Sequence, residues 1–254
     1  MKRRYWMLIV LLLFVINSGC LKKDKDIIFQ VSTITTLLDG GYDGVLSFRD
    51  LKKQGDFGIG TFNALDGEMI AVDGEFYQIK SDGNVYSVAA DVLTPFAIVT
   101  DFTADKTLEI NEVVTLQKLK EILDKNLKDK NIFYAIKILG EFTLIKTRSV
   151  PRQEKPFKPL VDIVKNQPVF EYKNIKGTLV GFWCPLFIKG VNVPSYHFHF
   201  ISEDKKVGGH LLDLEIKKVV INIDETSDFF MKLPENINLK DRQKLENEWV
   251  MVEK

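Results

Sequence analysis

Cysteine is nearly absent from this chain: Cys20 and Cys184 are the only two among 254 residues. That excludes a disulfide-stapled scaffold and a four-cysteine structural zinc site. Charge imbalance is absent too, with 35 basic against 35 acidic residues. This argues against the basic footprint of a nucleic-acid binder. The apolar run Met7 to Ile16 has ten residues, short of the roughly 20 that a membrane span needs. A dinucleotide fingerprint is missing as well. Gly55, Gly58 and Gly60 read GxxGxG rather than GxGxxG, and a strand rather than a helix follows them. Histidine is scarce too, and all three lie between residues 197 and 210.

Those three histidines are the most informative residues present. VPSYHFHFI is aromatic and β-branched and predicts a strand. Alternation then turns His197 and His199 to one face and Phe198 and Phe200 to the other. Ser202 to Lys206 reads as a turn. A hairpin centred on Asp204-Lys205 sets residue 199 opposite residue 210, on a shared face. Gly208-Gly209 offers a place for a bulge that would re-aim His210. Three converging neutral imidazoles suit Zn²⁺, and also Cu, Ni, Co or Fe, with a coordination position left for water or substrate. HxH alone would read equally well as a polar strand face. The third histidine opposite tips the reading to a metal site.

The first twenty residues form a separate object. Lys2-Arg3-Arg4 precedes the apolar run, and Asn17-Ser18-Gly19-Cys20 follows it. This is an export signal, and small residues before Cys20 resemble a bacterial lipobox. Asn17 departs from the usual leucine, so lipidation at Cys20 and a non-lipidated signal both stay open. Residues 21–26 read as a tether. A lipid on Cys20 would leave Cys184 without an intrachain disulfide, and Cys184 reads as buried apolar filler.

The expected fold class is α+β, with two β-rich halves, 27–150 and 151–254. Each would be a mixed sheet with flanking helices, the metal hairpin lying in the second. Leu65-Asp66-Gly67 and Asp73-Gly74 punctuate a β meander over 55–90. Leu116, Leu119, Leu123 and Leu127 make one helical stripe. FYAIKILGEFTLIKTRSV reads as a pair of strands, and the proline-bearing VPRQEKPFKPLVDIVKN as a crossing with a short helix. Further strands are expected at 176–184, 194–201, 207–216 and 218–223. DETSDFFMKLP reads as a short helix, and so does the charged tail from Asp241.

Several segments together resemble the bacterial α-acetolactate decarboxylase family. They are GTFNALDGEMIAVDGEFYQ, KTRSVPRQEKPF and VPSYHFHFISEDKKVGGHLLDLEI, and the resemblance spans roughly residues 27 to 254. It implies a zinc enzyme that converts 2-acetolactate to acetoin and CO2 through a metal-bound enediolate. It maps the zinc ligands onto His197, His199 and His210. It maps an active-site glutamate onto Glu68, an arginine onto Arg148 and a site-lining residue onto Thr61. It also places a glutamate from the C-terminal tail at the metal. Glu253 is the best match, with Glu248 and Glu246 behind it. A homodimer through the N-terminal sheet is implied as well. Without the resemblance, Glu68 would read as a solvated strand edge, Arg148 as a surface cation and Glu253 as a frayed terminus.

Three rival readings accompany this one. A three-histidine zinc hydratase or hydrolase fits the ligands but has no need of an anion clamp. A cupin-like binder would read His197, His199 and Glu203 as HxHxxxE, but it wants a later histidine than His210. A surface metal-binding lipoprotein fits the export signal and would hold zinc without turnover.

Overall fold

A computed structural model describes residues 26–235. Its first sheet has seven strands: β1 (Ile27–Val31), β3 (Phe57–Thr61), β4 (Glu68–Val72), β5 (Glu75–Ile79), β6 (Val85–Ser87), β8 (Ala97–Thr100) and β15 (Asp228–Lys232). They run in the order β15-β1-β8-β3-β4-β5-β6, antiparallel except for the parallel pair β1–β15. Asp73 and Gly74 both take positive φ, 54° and 79°, in the two-residue turn between β4 and β5. That is the turn a DG hairpin demands. Two short strands, β2 (Leu46–Ser47) and β7 (Leu93–Thr94), pair separately.

The second sheet is built on long ribbons. Its members are β9 (Lys106–Ile110), β10 (Val114–Thr115), β11 (Phe133–Arg148), β12 (Val169–Cys184), β13 (Ser195–Ser202) and β14 (Gly208–Thr226). β14 lies against β11 along its length, and its first residues also pair with β13. Helix α3 (Leu116–Asn126) buries Leu119 and Leu123 against this sheet, as its leucine stripe predicts. Three shorter helices complete the fold: α1 (Ile34–Leu38), α2 (Phe48–Leu51) and α4 (Leu160–Val164). Between the sheets lies an apolar layer that includes Phe57, Ile59, Ile70, Val180 and Phe182, with Cys184 buried beside them. Two sheets with few helices agree with the expected class, though only the first sheet is mixed and every pairing in the second is antiparallel.

Several elements differ from expectation. Residues 133–148 form one strand, not two. Gly140 carries φ +151°, and a Cβ there would meet the Lys218 carbonyl at 2.2 Å. Register shifts against β14 beside Glu141 and Phe142 let the ribbon bend without breaking. Residues 218–226 continue β14, and 228–232 form β15 rather than a helix. The parallel partner β1 supplies the pairing that DFFMK cannot signal by itself. Sheet membership therefore crosses residue 150: β9 to β11 join the second sheet, and β15 returns to the first. The tail expected to be helical lies outside the described residues.

Candidate metal centre and active site

The hairpin register decides where the imidazoles go. His199 pairs with His210 across β13 and β14, as the turn position predicted. Directly opposed residues share a face, and His197, two residues from His199, joins them. On its other side His210 pairs with Arg148 of β11. One row of strand partners thus carries His199, His210 and Arg148. Gly209 lets the strands close here: its φ is +139°, and a Cβ would sit 2.4 Å from the Arg148 carbonyl oxygen. The β13–β14 register stays regular through Gly208 and Gly209, and the nearby shift falls between β11 and β14 at Lys146/Thr147.

The facing sheet supplies the rest. Thr61 on β3 and Glu68 on β4 are also register partners. Glu68 reaches across the gap, its Oε1 accepting from Arg148 Nη1 at 2.7 Å. Its Oε2 lies 3.6 Å from His199 Nε2. The Arg148 and Glu68 side chains are 4% and 8% exposed, so neither is the surface residue that local sequence suggested. Such a pair keeps its charges in a dry setting only because each neutralises the other. Thr61 is buried, and its hydroxyl donates to the Gly67 carbonyl at 2.6 Å.

The imidazole ring centroids stand 4.9 to 5.3 Å apart. One nitrogen from each ring lies within 4.8 Å of the others. Nitrogens bound at 2.0–2.1 Å around a tetrahedral zinc would be roughly 3.4 Å apart, so small side-chain adjustments bring the three onto one ion. The residues fit a metal on a second ground. His199 Nδ1 lies 2.9 Å from the Met69 carbonyl oxygen, which can only accept, so Nδ1 carries the proton. Nε2 then holds a lone pair, buried and without a hydrogen-bond partner. A ligand imidazole oriented through its other nitrogen by a carbonyl is the usual arrangement. Met69 escaped the sequence reading because a backbone carbonyl leaves no residue signature.

Burial, with Arg148 adding to it, pushes the His197 imidazole down to about 3. Burial first, then neighbouring charges, hold His199 and His210 well below their ordinary 6.5. All three are neutral at pH 7, the form that binds metal. The stability consequence has a definite sign. The unfolded chain takes up protons as pH falls below 6.5, while the folded imidazoles do not. Stability is therefore greatest above that pH and declines as pH falls toward the folded values. For chelated protein all three imidazoles contribute to that loss, with burial as the main cause. Asp224, pushed up to about 7 by burial, works the opposite way. Melting curves from pH 7.5 to 5 should fall more steeply for wild type than for His210→Gln; equal slopes would contradict the assignment.

Thr61, Glu68, Arg148 and the three histidines line one cavity with Ile34, Leu37, Gly60, Leu65, Phe96, Val150 and Leu160. Sequence reasoning missed this apolar side. Its residues come from α1, α4 and loops that only tertiary packing gathers. Glu253, Glu248, Glu246 and Cys20 lie outside the described residues.

A family model described as Alpha-acetolactate decarboxylase matches residues 28–246, a span that ends before Glu253. An alpha-acetolactate decarboxylase from Methanosarcina mazei is 55% identical over 210 residues, covering 83% of this chain and 73% of its own length. One from Bacillus subtilis strain 168 is 43% identical over 222 residues, covering 87% and 86%. The crystal structure of alpha-acetolactate decarboxylase from Bacillus subtilis strain 168 has a TM-score of 0.87 at 41% identity. It covers 89% of this chain and 99% of that one.

Proposed function

The chain belongs to the alpha-acetolactate decarboxylase family, and we propose that the cavity between its sheets is the active site, with zinc held by His197, His199 and His210. The activity is that of a carbon–carbon lyase: 2-acetolactate loses CO2 and becomes acetoin. The observation that carries the metal reading is the buried, unpartnered His199 Nε2, aligned through Nδ1 by the Met69 carbonyl. Zinc bound there would supply a Lewis acid that draws electrons toward the ketone beside the breaking bond.

The chain's own residues divide the remaining work. Cleaving the bond to CO2 leaves an electron pair that the neighbouring carbonyl takes up as an enediolate. Arg148 offers a planar, permanently charged donor set to the substrate carboxylate or to the enediolate oxygens. Its pairing with Glu68 fixes the guanidinium in place before substrate arrives. A proton must leave the hydroxyl and another must reach carbon from one side. Arginine is a poor acid, so Glu68, in contact with Arg148, is the described carboxylate suited to accept and return it. Thr61, beside Glu68 in the register, keeps an oxygen lone pair to accept from a substrate hydroxyl. Glu253 is assigned as a second carboxylate on the family resemblance. Acetoin formation by the purified protein, far above spontaneous decay of 2-acetolactate, is the test. A folded, zinc-loaded protein without turnover would contradict the reading.

Export and lipid attachment at Cys20 are part of the proposal, resting on the basic, apolar and small-residue order of residues 2–20. Cys20→Ala should release active protein into the medium. Retention in the membrane fraction after signal processing would contradict the anchor. A homodimer through the first sheet is supported by its edge strand β15, where Phe230 is 60% exposed and Leu233 just beyond is 52% exposed.

A further inference from the structure

We infer that Ser149 and Thr147 are positioning residues: their hydroxyls lock the end of β11 and so set the aim of Arg148 at Glu68 and the substrate. The inference deepens the decarboxylase reading above and rests on it. Arg148 holds an awkward place in the chain. It is the last residue of β11, and Pro151 soon after has no N–H to extend a ladder. The ladder is also interrupted just before it. The register against β14 shifts there, with Lys146 facing Asp213 and Thr147 facing Leu211. Bulges of this kind re-aim side chains beside active sites and disrupt regular pairing. A strand end next to a bulge is poorly held by its ladder, yet a guanidinium that meets developing charge must be fixed to within roughly 0.5 Å.

Side chains on both flanks of Arg148 supply the hold. Ser149 ties one flank to the first sheet. Its Oγ donates to the Ile79 carbonyl at 2.8 Å, and Ile79 of β5 is the register partner of Glu68. That bond runs between the sheets beside the Arg148–Glu68 contact. It joins the residue next to the arginine to the strand next to the glutamate. The Ser149 N–H donates to the Pro168 carbonyl at 3.3 Å. Thr147 ties the other flank to the metal hairpin, its Oγ1 donating to the Gly208 carbonyl at 3.1 Å, two residues before His210. Thr147 and Ser149 are both fully buried. A hydroxyl so placed is costly unless it is bonded, and an apolar residue would fill either position without that demand. Neither residue lines the cavity, although Arg148 and Val150 do. The two hydroxyls therefore act through the residue between them.

The test measures kcat/KM for 2-acetolactate in zinc-loaded wild-type and variant proteins. Ser149→Ala should lose at least about tenfold, toward the roughly 10²-fold that a 1 Å misplacement can cost, with its zinc retained. The same substitution in an Arg148→Lys background separates aim from general damage. Residues that act through one another are not additive, so Ser149→Ala should cost less than about threefold once the guanidinium is gone. A merely structural hydroxyl would cost the same factor in both backgrounds. Should Ser149→Ala fold poorly, Thr147 carries the test. Thr147→Val, similar in size but without the hydroxyl, should lose at least about tenfold, while Thr147→Ser, which keeps it, should not. A folded Ser149→Ala protein as active as wild type, an equal loss in both backgrounds, or equal rates in the two Thr147 variants would overturn the inference and leave the decarboxylase reading intact. A wild-type protein without turnover would instead overturn that reading, and this inference with it.

Discussion

Replacing His199 with alanine is expected to reduce acetoin formation to the spontaneous rate and to strip the protein of its metal. Even partners that merely orient a ligand imidazole cost about 10–100-fold when removed. Loss of the ligand itself should cost more. His199 is the most informative of the three to remove. It is 1% exposed, its outer nitrogen is engaged by Met69, and its inner nitrogen lies beside Glu68. The variant leaves a void in a packed region, so a melting curve must accompany the metal assay. His199→Gln, closer in volume, separates ligand loss from collapse. A folded variant that keeps both bound zinc and turnover within about tenfold of wild type would contradict the ligand assignment.

Arg148→Lys should give the complementary result: zinc retained, turnover down by about 10²–10³-fold. That is the usual cost of removing one positioned donor to developing negative charge. Lysine keeps a cation but not the planar fork. At a site this dry, its ammonium would also tend to lose its proton. Metal content by atomic absorption and single-turnover rates with saturating substrate separate the two effects. Normal turnover in a metal-loaded Arg148→Lys protein would remove the clamp from the mechanism.

The site was unevenly legible in the sequence, and the reason is where each contact is encoded. His199 and His210 could be paired from a hairpin turn and a count of residues, because strand register is local. Glu68 and Arg148 could not be given their burial that way. Their mutual contact spans 80 positions and two sheets, so only family resemblance singled them out. β8 reads AIVT and is buried throughout, which leaves no alternation to mark a strand. β15 is half exposed and owes its form to β1. The single ribbon of β11 looked like two strands because a glycine in mid-strand usually signals a turn or bulge. Here Gly140 meets the β14 backbone too closely for any side chain. The apolar wall was invisible because its segments, around residues 34–37, 65, 96 and 150–160, are brought together only by tertiary packing.

The central claim is that three imidazoles hold the metal on which this decarboxylase depends. The direct measurement follows acetoin release from racemic 2-acetolactate by purified protein as isolated, after chelation, and after zinc is restored. The account predicts rapid release, a fall to the spontaneous rate, and recovery on adding about one zinc per chain. Undiminished acetoin release from protein verified to be metal-free would contradict it.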